Sequence, residues 1–383
     1  MRRICVVITA RASYGRIRSA LQAIRDHSRL ELQLVVCASA VLERYGDLRP
    51  QLKNDNFVID AQAFTLVEGE TLLTSAKSVG LGVIELGNIF DRLRPDAVVT
   101  IADRFETIAT ALAACNMNIP LVHVQGGEIT GNIDEKIRHA ITKLSDLHLV
   151  STEKAQNRVI QMGENPASVF VTGCPSIDLA ASIVKNPKLG FDPIEKYGGV
   201  GSSLSIRDGY LVVLNHPVTT EFGQARQQVQ ELLLAMHDVN LPVLWFWPNV
   251  DAGSDDTSKG IRAFRENQNP TNIHFFKNMA ASDFLSLLIN SKGLIGNSSV
   301  GIRECSFMGV PVVNIGSRQE GRDRVESLID VGYKRVEIVA AVNEMLASPR
   351  PARSTLYGKG GAGKVIADLL AEEPLSIEKR LAY

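Results

Sequence analysis

Residues 98–139 carry the carboxylates that make acid/base chemistry the first hypothesis for this chain. Asp103 and Glu128 each follow an apolar run, and Asp134 opens a polar helical segment that also holds Arg138. Side chains that follow neighbouring parallel strands meet at one edge of a sheet, so we expect this set to converge. Clustered carboxylates push one another's pKa values apart, which proton transfer requires. The alternative for Asp103 and Asp134 is that each caps a helix.

The first apolar run leads into a second candidate for ligand binding. Residues 4–9 are strand-like, and a loop containing Gly15 then enters a helix, an arrangement that suits a phosphate. No G-x-G-x-x-G motif follows, so a dinucleotide fingerprint is absent. Arg11 and Arg16 are therefore candidate anion contacts, and the alternative is that both are solvated surface arginines.

Composition limits the classes of function. At 383 residues the chain is expected to form two domains. A formal net charge of -1 gives no electrostatic basis for binding nucleic acid or an anionic membrane surface. The 5 cysteines include no C-x-x-C pair, so neither a zinc site nor a disulfide framework is indicated. No apolar run is long enough to span a bilayer or to act as a signal peptide, and we expect a cytoplasmic protein.

Strand-like runs alternate with helical segments along most of the chain. This alternation predicts an α/β protein with doubly wound parallel sheets. The pattern lapses at residues 186–205, interpreted as a linker, and a cleft between the two halves is the expected ligand site. The predicted strands are residues 4–9, 32–37, 57–64, 97–101, 120–124, 148–151 and 169–172, then 210–214, 243–247, 273–276, 293–295 and 312–315.

Polar residues follow several strands of the second half. His216 lies just after a strand, where it is placed to contact a phosphate or transfer a proton near neutral pH. The alternative is a buried core histidine. Asn249 and Asp251 follow the next strand in a loop of the same polarity.

A turn of small residues leads into a predicted helix at residues 301–308. Backbone N–H groups there, with the hydroxyls of Ser298 and Ser299, would cradle a diphosphate, whereas N-capping is the simpler alternative. Glu304 is placed to accept hydrogen bonds from ribose hydroxyls. Arg318, after the following strand, is placed to close over the phosphates as a bidentate donor.

One apparent motif is rejected. Residues 358–364 read G-K-G-G-A-G-K, which has the spacing of a P-loop. Val365 stands where a P-loop has the Ser or Thr that binds magnesium, and no strand precedes the segment. We interpret it as a flexible hinge before a C-terminal helix.

Nine short motifs occur in order along the chain. They are R-A-S-Y-G at 11–15, D-R-F-E at 103–106, G-G-E at 126–128, I-D-E-K-I-R-H-A-I-T-K-L at 133–144, T-G-C-P-S-I-D at 172–178, N-H-P-V-T-T-E at 215–221, P-N-V-D-A-G-S at 248–254, G-N-S-S-V-G-I-R-E at 296–304 and G-S-R-Q at 316–319. Together they resemble those of the hydrolysing UDP-N-acetylglucosamine 2-epimerases of sialic-acid biosynthesis, and the resemblance covers nearly the whole chain.

The resemblance implies an α/β fold of two Rossmann-like domains, glycosyltransferase-B-like, with a C-terminal helix that crosses back to the first domain. The implied domains are residues 1–185, completed by a helix at 363–383, and a nucleotide-binding domain at 186–362.

The resemblance also implies a reaction that needs neither a metal nor a nicotinamide cofactor. UDP is eliminated across C1–C2 of UDP-N-acetylglucosamine to give 2-acetamidoglucal, and water then adds to give N-acetylmannosamine. A base must take the C2 proton, an acid or cation must support the leaving diphosphate, and a third group must activate water. The implied partners are the UDP-sugar and further copies of the chain, as a homodimer or homotetramer, with no nucleic acid and no membrane.

Roles for individual residues follow from the same resemblance. Asp103 and Asp134 are implied as catalytic carboxylates, with Glu128 and His216 as the further catalytic candidates. The implied substrate-binding residues are Arg11, Arg16, Gln125, Arg138, Asn249, Asp251, Ser298, Ser299, Glu304 and Arg318.

Two positions depart from the family pattern. Many relatives carry Glu where this chain has Gln125, and an amide cannot transfer protons in the same way, so that burden moves to Glu128, Asp134 or Asp103. Residues 37–41 read C-A-S-A-V, so Ala40 replaces a histidine expected near the sugar. The sequence therefore leaves open a 2,4-diacetamido-trideoxyhexose or a GDP-linked N-acetylglucosamine as substrate. It also leaves open a glycosyltransferase of the same fold and a non-catalytic nucleotide-sugar-binding protein.

Overall fold

The computed structural model of the chain contains two compact units, each built around one sheet. It describes residues 1–69, 71–101, 104–130, 133–221, 223–248 and 253–382, apart from the side chains at positions 44 and 219. The first unit consists of Met1–Glu128, Ile133–Leu179 and Tyr357–Tyr383. The second consists of Ile129–Asn132 and Ala180–Leu356.

The first unit has a 7-stranded parallel sheet in the order β3-β2-β1-β4-β5-β6-β7. The strand order reverses direction between β1 and β4, and ligands of such sheets bind at that point, beyond the carboxyl ends of the strands. The loops that follow β1, β4 and β5 are therefore the expected site of chemistry in this unit. The strands are β1 (Arg2–Ile8), β2 (Leu30–Cys37), β3 (Ala61–Ala63), β4 (Ala97–Ile101), β5 (Leu121–Val124), β6 (Leu147–Val150) and β7 (Val169–Val171).

Amphipathic helices cover both faces of this sheet. Even-numbered residues of β1, such as Ile4 and Val6, pack with Leu21 in one apolar cluster, whereas the odd-numbered Cys5 and Val7 pack in another. The helices are α1 (Arg11–Asp26), α2 (Arg49–Asn54), α3 (Leu72–Leu93), α4 (Thr107–Asn116), α5 (Ile133–Leu144), α6 (Glu153–Gln161) and α7 (Ser176–Lys185).

The second unit repeats the design with the order β14-β13-β12-β9-β10-β11-β8. Its strand order reverses between β9 and β12, and β8 is antiparallel to β11 while the other strands are parallel. The predicted class, α/β with two Rossmann-like domains, is confirmed. The remaining elements are α8 (Pro193–Tyr197), β8 (Val200–Gly201), β9 (Leu211–Leu214), α9 (Ala225–Asp238), β10 (Val243–Phe246), α10 (Ser254–Gln268), β11 (Ile273–Phe276), α11 (Ala281–Asn290), β12 (Gly293–Gly296), α12 (Ser299–Ile302), α13 (Glu304–Met308), β13 (Val312–Ile315), β14 (Ile329–Val331), α14 (Arg335–Ala347) and α15 (Ala362–Glu372).

The C-terminal helix α15 returns to the first unit and packs against α1, as predicted. The approach is close, because a Cβ built at Gly363 would lie 2.5 Å from the backbone carbon of Ser19. The predicted extent of this helix, residues 363–383, is wrong. It ends at Glu372, because Pro374 disfavours helical geometry at the residue before it. Among the helices that the structure describes, none combines the length and apolarity needed to cross a membrane.

The segment that follows α15 is fixed to the first unit by a buried carboxylate, Glu164. Its side chain accepts hydrogen bonds from Lys143 Nζ at 2.5 Å, from His148 Nε2 at 3.0 Å and from Lys379 Nζ. Burial raises the pKa of Glu164, but the hydrogen bonds from His148, Lys143 and Lys379 outweigh it and hold the pKa at about 2. Burial also lowers the pKa of His148.

These contacts predict that acid weakens the first unit through Glu164. The pKa of Glu164 in the folded protein, about 2, lies below the ordinary value of 4.5. The stabilisation by the ionised carboxylate is therefore complete above pH 4.5 and is lost as the pH falls from 4.5 towards 2. We expect Glu164→Gln to lower the free energy of unfolding by about 2–3 kcal/mol at pH 7. In urea titrations between pH 7 and pH 3, the difference in free energy of unfolding between Glu164→Gln and wild type is expected to decrease below pH 4.5, the ordinary pKa of a glutamate. A difference independent of pH would contradict this assignment.

Candidate active site

The loop after β1 delivers positive groups to the carboxyl edge of the first sheet. Helix α1 begins at Arg11, and its first turn contains no acidic side chain and no side-chain cap at Ala10. The backbone N–H groups of that turn carry partial positive charge, to which Arg11 adds a full one. Arg11 and Arg16 are both partly buried. This is an environment that suits an anionic group, although other contacts also engage both arginines.

The loop after β5 begins with a residue in an unusual conformation. Gln125 has φ 68, in the left-handed region that a non-glycine side chain rarely adopts, and it is only 2% exposed. Its Nε2 donates to Cys174 Sγ at 2.9 Å, and its Oε1 is buried without a hydrogen-bond partner among the described residues. Such strain is typical of functional loops, because the surrounding structure must hold it in place.

The two glycines that follow Gln125 are required by close packing. A Cβ at Gly126 would lie 2.9 Å from His123 Nδ1, and one at Gly127 would lie 2.4 Å from the backbone oxygen of Ala155. Gly127 also has φ 74. Arg158 donates from its guanidinium to the Gly127 carbonyl oxygen at 3.2 Å. The G-G-E loop is therefore fixed against α6.

Helix α5 carries two of the predicted site residues, Asp134 and Arg138, and Arg138 contacts Glu128. Arg138 is fully buried and donates from NH1 to the Glu128 carbonyl oxygen at 2.6 Å. The Glu128 side chain is 3% exposed. Asp134 is partly buried and lies in the first turn of α5 rather than before it, so it is not the residue that caps this helix. Asp103, the remaining predicted catalytic carboxylate, lies outside the described residues.

Ala40, where a histidine was expected, has no exposed surface. Its backbone N–H donates to Thr9 O at 3.2 Å, and its carbonyl oxygen accepts from Leu48 N at 2.9 Å. Its side chain packs in the apolar cluster with Val41 and Leu48. In this structure Ala40 therefore presents nothing to a ligand.

In the second unit, His216 follows β9 and is 4% exposed. Its backbone N–H donates to Asn297 Oδ1 at 2.8 Å, and Asn297 Nδ2 donates to its carbonyl oxygen at 2.8 Å. Asn297 was not among the predicted site residues. The signal available in the sequence was its position within G-N-S-S, directly before the two serines.

The two serines differ in their contacts. Ser298 Oγ accepts from Val300 N at 3.4 Å, so the N-capping alternative is observed for Ser298. Ser299 Oγ accepts from Arg303 NH2 at 2.8 Å. The prediction of one helix over residues 301–308 is wrong, because the helix is interrupted at Arg303, which lies between α12 and α13. Arg303 has ψ -71 and is buried. A four-residue helix carries little dipole, so phosphate binding here would depend on hydroxyl and cationic groups.

Glu304 opens α13 as a buried carboxylate. It is 5% exposed, and its Oε2 has no hydrogen-bond partner among the residues that the structure describes. Arg303 Nε lies 4.0 Å from that oxygen. A buried oxygen of this kind is costly unless a ligand or water donates to it. It therefore has the chemistry to accept from hydroxyl groups such as those of a ribose.

The loop after β13 carries Arg318 in a short 3-10 turn. Arg318 NH1 and Gln319 Nε2 donate to the carbonyl oxygen of Asn297, at 3.3 and 2.8 Å. The Ser317 hydroxyl donates to the carboxylate of Glu221, which lies in the loop after β9. The loops that follow β9, β12 and β13 are thus joined by direct contacts. The predicted binding residues Asn249 and Asp251 lie outside the described residues.

Backbone N–H groups of the glycine-rich segment at 358–364 donate to a carboxylate of the same chain. Asp178 accepts from the backbone N–H of Ala362 at 2.9 Å and from that of Gly363 at 2.8 Å. These are the groups that a P-loop would offer to a phosphate. The segment is therefore the capped start of α15.

Comparison with known proteins identifies the family. The family model described as UDP-N-acetylglucosamine 2-epimerase matches residues 22–371. The chain belongs to this epimerase family. The polysialic acid biosynthesis protein P7 of Escherichia coli is 36% identical over 354 residues, which cover 90% of this chain and 86% of that protein.

Two further family members match along almost the full length. The UDP-N,N'-diacetylbacillosamine 2-epimerase (hydrolyzing) of Legionella pneumophila is 31% identical over 98% of this chain and 97% of its own. The crystal structure of the Methanocaldococcus jannaschii UDP-GlcNAc 2-epimerase, in complex with UDP-GlcNAc and UDP, has a TM-score of 0.79 and 17% identity. It covers 97% of this chain and 100% of that one. The chain is therefore an enzyme of the epimerase family with the glycosyltransferase-B-like fold of its members.

Proposed function

We propose that this enzyme is a hydrolysing nucleotide-sugar 2-epimerase that converts UDP-N-acetylglucosamine and water to N-acetylmannosamine and UDP. The product would feed the synthesis of sialic-acid-like nonulosonates or other surface glycans. The observation that carries the proposal is the near-full-length match to a relative whose name specifies the hydrolysing reaction. The reaction is expected to take place without a metal or redox cofactor and within a homodimer or homotetramer.

Proton transfer is assigned to the carboxylates of the first unit. In the first step a carboxylate takes the C2 proton while the bond from C1 to the diphosphate oxygen breaks, giving 2-acetamidoglucal and UDP. In the second step a carboxylate takes a proton from water as the water oxygen bonds to C1. A proton is delivered to C2 on the face opposite to the one from which the first proton was removed. Asp103 and Asp134 are the proposed acid and base, with Glu128 as the third candidate. The amide of Gln125 bonds to Cys174 and cannot replace any of them.

Diphosphate and ribose binding are assigned mainly to the second unit. His216, Ser298, Ser299 and Arg318 are the proposed phosphate contacts, because a leaving diphosphate needs positive charge and hydrogen-bond donors. The hydrogen bonds among their loops support this role, since a site made rigid in advance loses less entropy on binding.

The remaining substrate contacts are proposals on the same basis. The open oxygen of Glu304 supports the ribose role. Arg11 is proposed to face the diphosphate, and the further proposed contacts are Arg16, Gln125, Arg138, Asn249 and Asp251.

A second candidate is the same reaction on a UDP-2,4-diacetamido-trideoxyhexose. It is favoured by the Legionella pneumophila relative, whose name specifies UDP-N,N'-diacetylbacillosamine. It is also favoured by Ala40, which leaves no imidazole at the position where the family resemblance implies a histidine near the sugar. The chemistry at C1 and C2 is unchanged, so the two candidates differ only in the sugar pocket.

Diphosphate release from a panel of nucleotide sugars tests the proposal. The panel contains UDP-N-acetylglucosamine, the UDP-2,4-diacetamido-trideoxyhexose, UDP-glucose and GDP-N-acetylglucosamine. We expect one of the first two to be turned over with kcat/KM at least about 100-fold above UDP-glucose, because a site built for an amide loses hydrogen bonds when the amide is absent. Release from no UDP-sugar would refute the UDP form of the proposal, and release from no sugar of the panel would refute the hydrolysing function. Release that depends on an added acceptor would favour a glycosyltransferase.

A further inference from the structure

The loops that would hold the diphosphate meet at Asn297, a residue that is 0% exposed. It lies directly after β12, and the loop after β9 lies beside it because those two strands are neighbours in the sheet. Its side-chain amide donates to the carbonyl oxygen of His216 and accepts from the N–H of His216, both at 2.8 Å. This is the two-bond pattern by which an adjacent strand would pair.

The backbone of the same residue anchors the third loop. The carbonyl oxygen of Asn297 accepts from Gln319 Nε2 at 2.8 Å and from Arg318 NH1 at 3.3 Å. On its C-terminal side the chain continues directly into Ser298 and Ser299. Asn297 thus touches His216 and Arg318 and is bonded covalently to Ser298.

We propose that Asn297 is a positioning residue for the diphosphate site, holding the backbone of His216 in register with the serine turn so that the imidazole meets the phosphate. This inference rests on the proposed function. Removal of the Asn297 amide group would leave the loop after β9 without the two hydrogen bonds that fix its position relative to the sheet. His216 would then sample positions out of reach of the phosphate, and a misplacement of about 1 Å is enough to cost binding and rate.

The test compares Asn297→Ala with Asn314→Ala, a control of the same type in the same sheet. Asn314 lies in β13, is 2% exposed and donates to Asp330 in β14 at 2.7 Å. We expect Asn297→Ala to weaken UDP binding, measured by calorimetry, roughly ten- to hundredfold, since two buried hydrogen bonds are lost. We expect Asn314→Ala to change it less than about threefold. Asn297→Ser, which keeps a polar group in the buried position, replaces the alanine variant if the latter does not fold.

A double-mutant cycle separates positioning from a general loss of stability. If Asn297 acts through His216, the loss caused by Asn297→Ala becomes small in a His216→Ala background. Hydrogen exchange of the His216 amide gives a readout without any ligand, and we expect it to accelerate in Asn297→Ala but not in Asn314→Ala. Additive losses, or unchanged exchange and affinity, would overturn the inference while leaving the proposed function intact. A wild-type enzyme that neither binds UDP nor releases it from any sugar would instead overturn the proposed function, and the inference with it.

Discussion

Asp103→Asn is expected to lower kcat by about 1,000-fold while UDP affinity changes less than about threefold. The substitution keeps the size and polarity of the side chain but removes its ability to exchange a proton. Because the diphosphate contacts are assigned to other residues, ground-state binding of UDP should survive. Steady-state turnover of the best sugar and calorimetric titration with UDP measure the two quantities separately.

The matched control for this experiment is Asp26→Asn. Asp26 closes α1, pairs with Arg25 on the surface and has a side chain that is 65% exposed. An exposed pair of this kind contributes little, so turnover should be unchanged. Full activity in Asp103→Asn would remove Asp103 from the mechanism and would leave Asp134 and Glu128 as the remaining candidates.

Gly127→Ala is expected to lower the free energy of unfolding by about 3 kcal/mol and to abolish turnover. At φ 74 an alanine is strained whatever the available space. The added carbon would also lie 2.4 Å from the backbone oxygen of Ala155, which has no flexible end to move away. Relief of that overlap must displace the loop that carries Glu128. Chemical denaturation and turnover of the best sugar measure the two effects.

Gly87→Ala is the control for the general effect of replacing a glycine by alanine. Gly87 lies in α3, and a Cβ there would meet nothing within 4 Å. Alanine in a helix interior is favoured over glycine by about 0.5–1 kcal/mol, so this variant should be slightly more stable than wild type. If Gly127→Ala were as stable and active as Gly87→Ala, the account of the G-G-E loop would be wrong.

The order of strands and helices along the chain was largely predictable from the sequence. Residues 4–8 are apolar at every position because this part of β1 is covered on both faces, which is typical of central parallel strands. The alternation of such runs with helical segments was sufficient to predict the parallel sheets. By contrast, β8 and β14 were not predicted, and β8, with two residues, is too short for a periodic signal.

Details of the candidate site were less predictable, because they depend on single contacts. The helix is interrupted at Arg303, whose buried guanidinium bonds Ser299, and residues 299–308 contain no Pro from which the interruption could be predicted. The positive φ of Gln125 cannot be inferred from a glutamine. Asp178 was part of a family motif, yet only the fold shows that it caps α15 from far along the chain. The role of Asn297 likewise depends on the adjacency of β9 and β12.

Gln125, which stands where many relatives carry Glu, has a defined partner in this structure. Gln125 Nε2 donates to Cys174, whose sulfur also lies 3.0 Å from Ser176 Oγ. A carboxylate has no N–H to donate, so the hydrogen bond from position 125 to this sulfur depends on the amide. This hydrogen bond fixes the position of the Gln125 side chain, and proton transfer remains assigned to carboxylates elsewhere.

The measurement that tests the central claim most directly is turnover in heavy water, with the products resolved by mass spectrometry and NMR. The proposed elimination and hydration predict free UDP together with a free 2-epimeric sugar that carries one deuterium at C2. Deuterium in a sugar still attached to UDP, without free UDP, would show a non-hydrolysing epimerase. Free UDP with no deuterium at C2 would show simple hydrolysis, and either result would contradict the account.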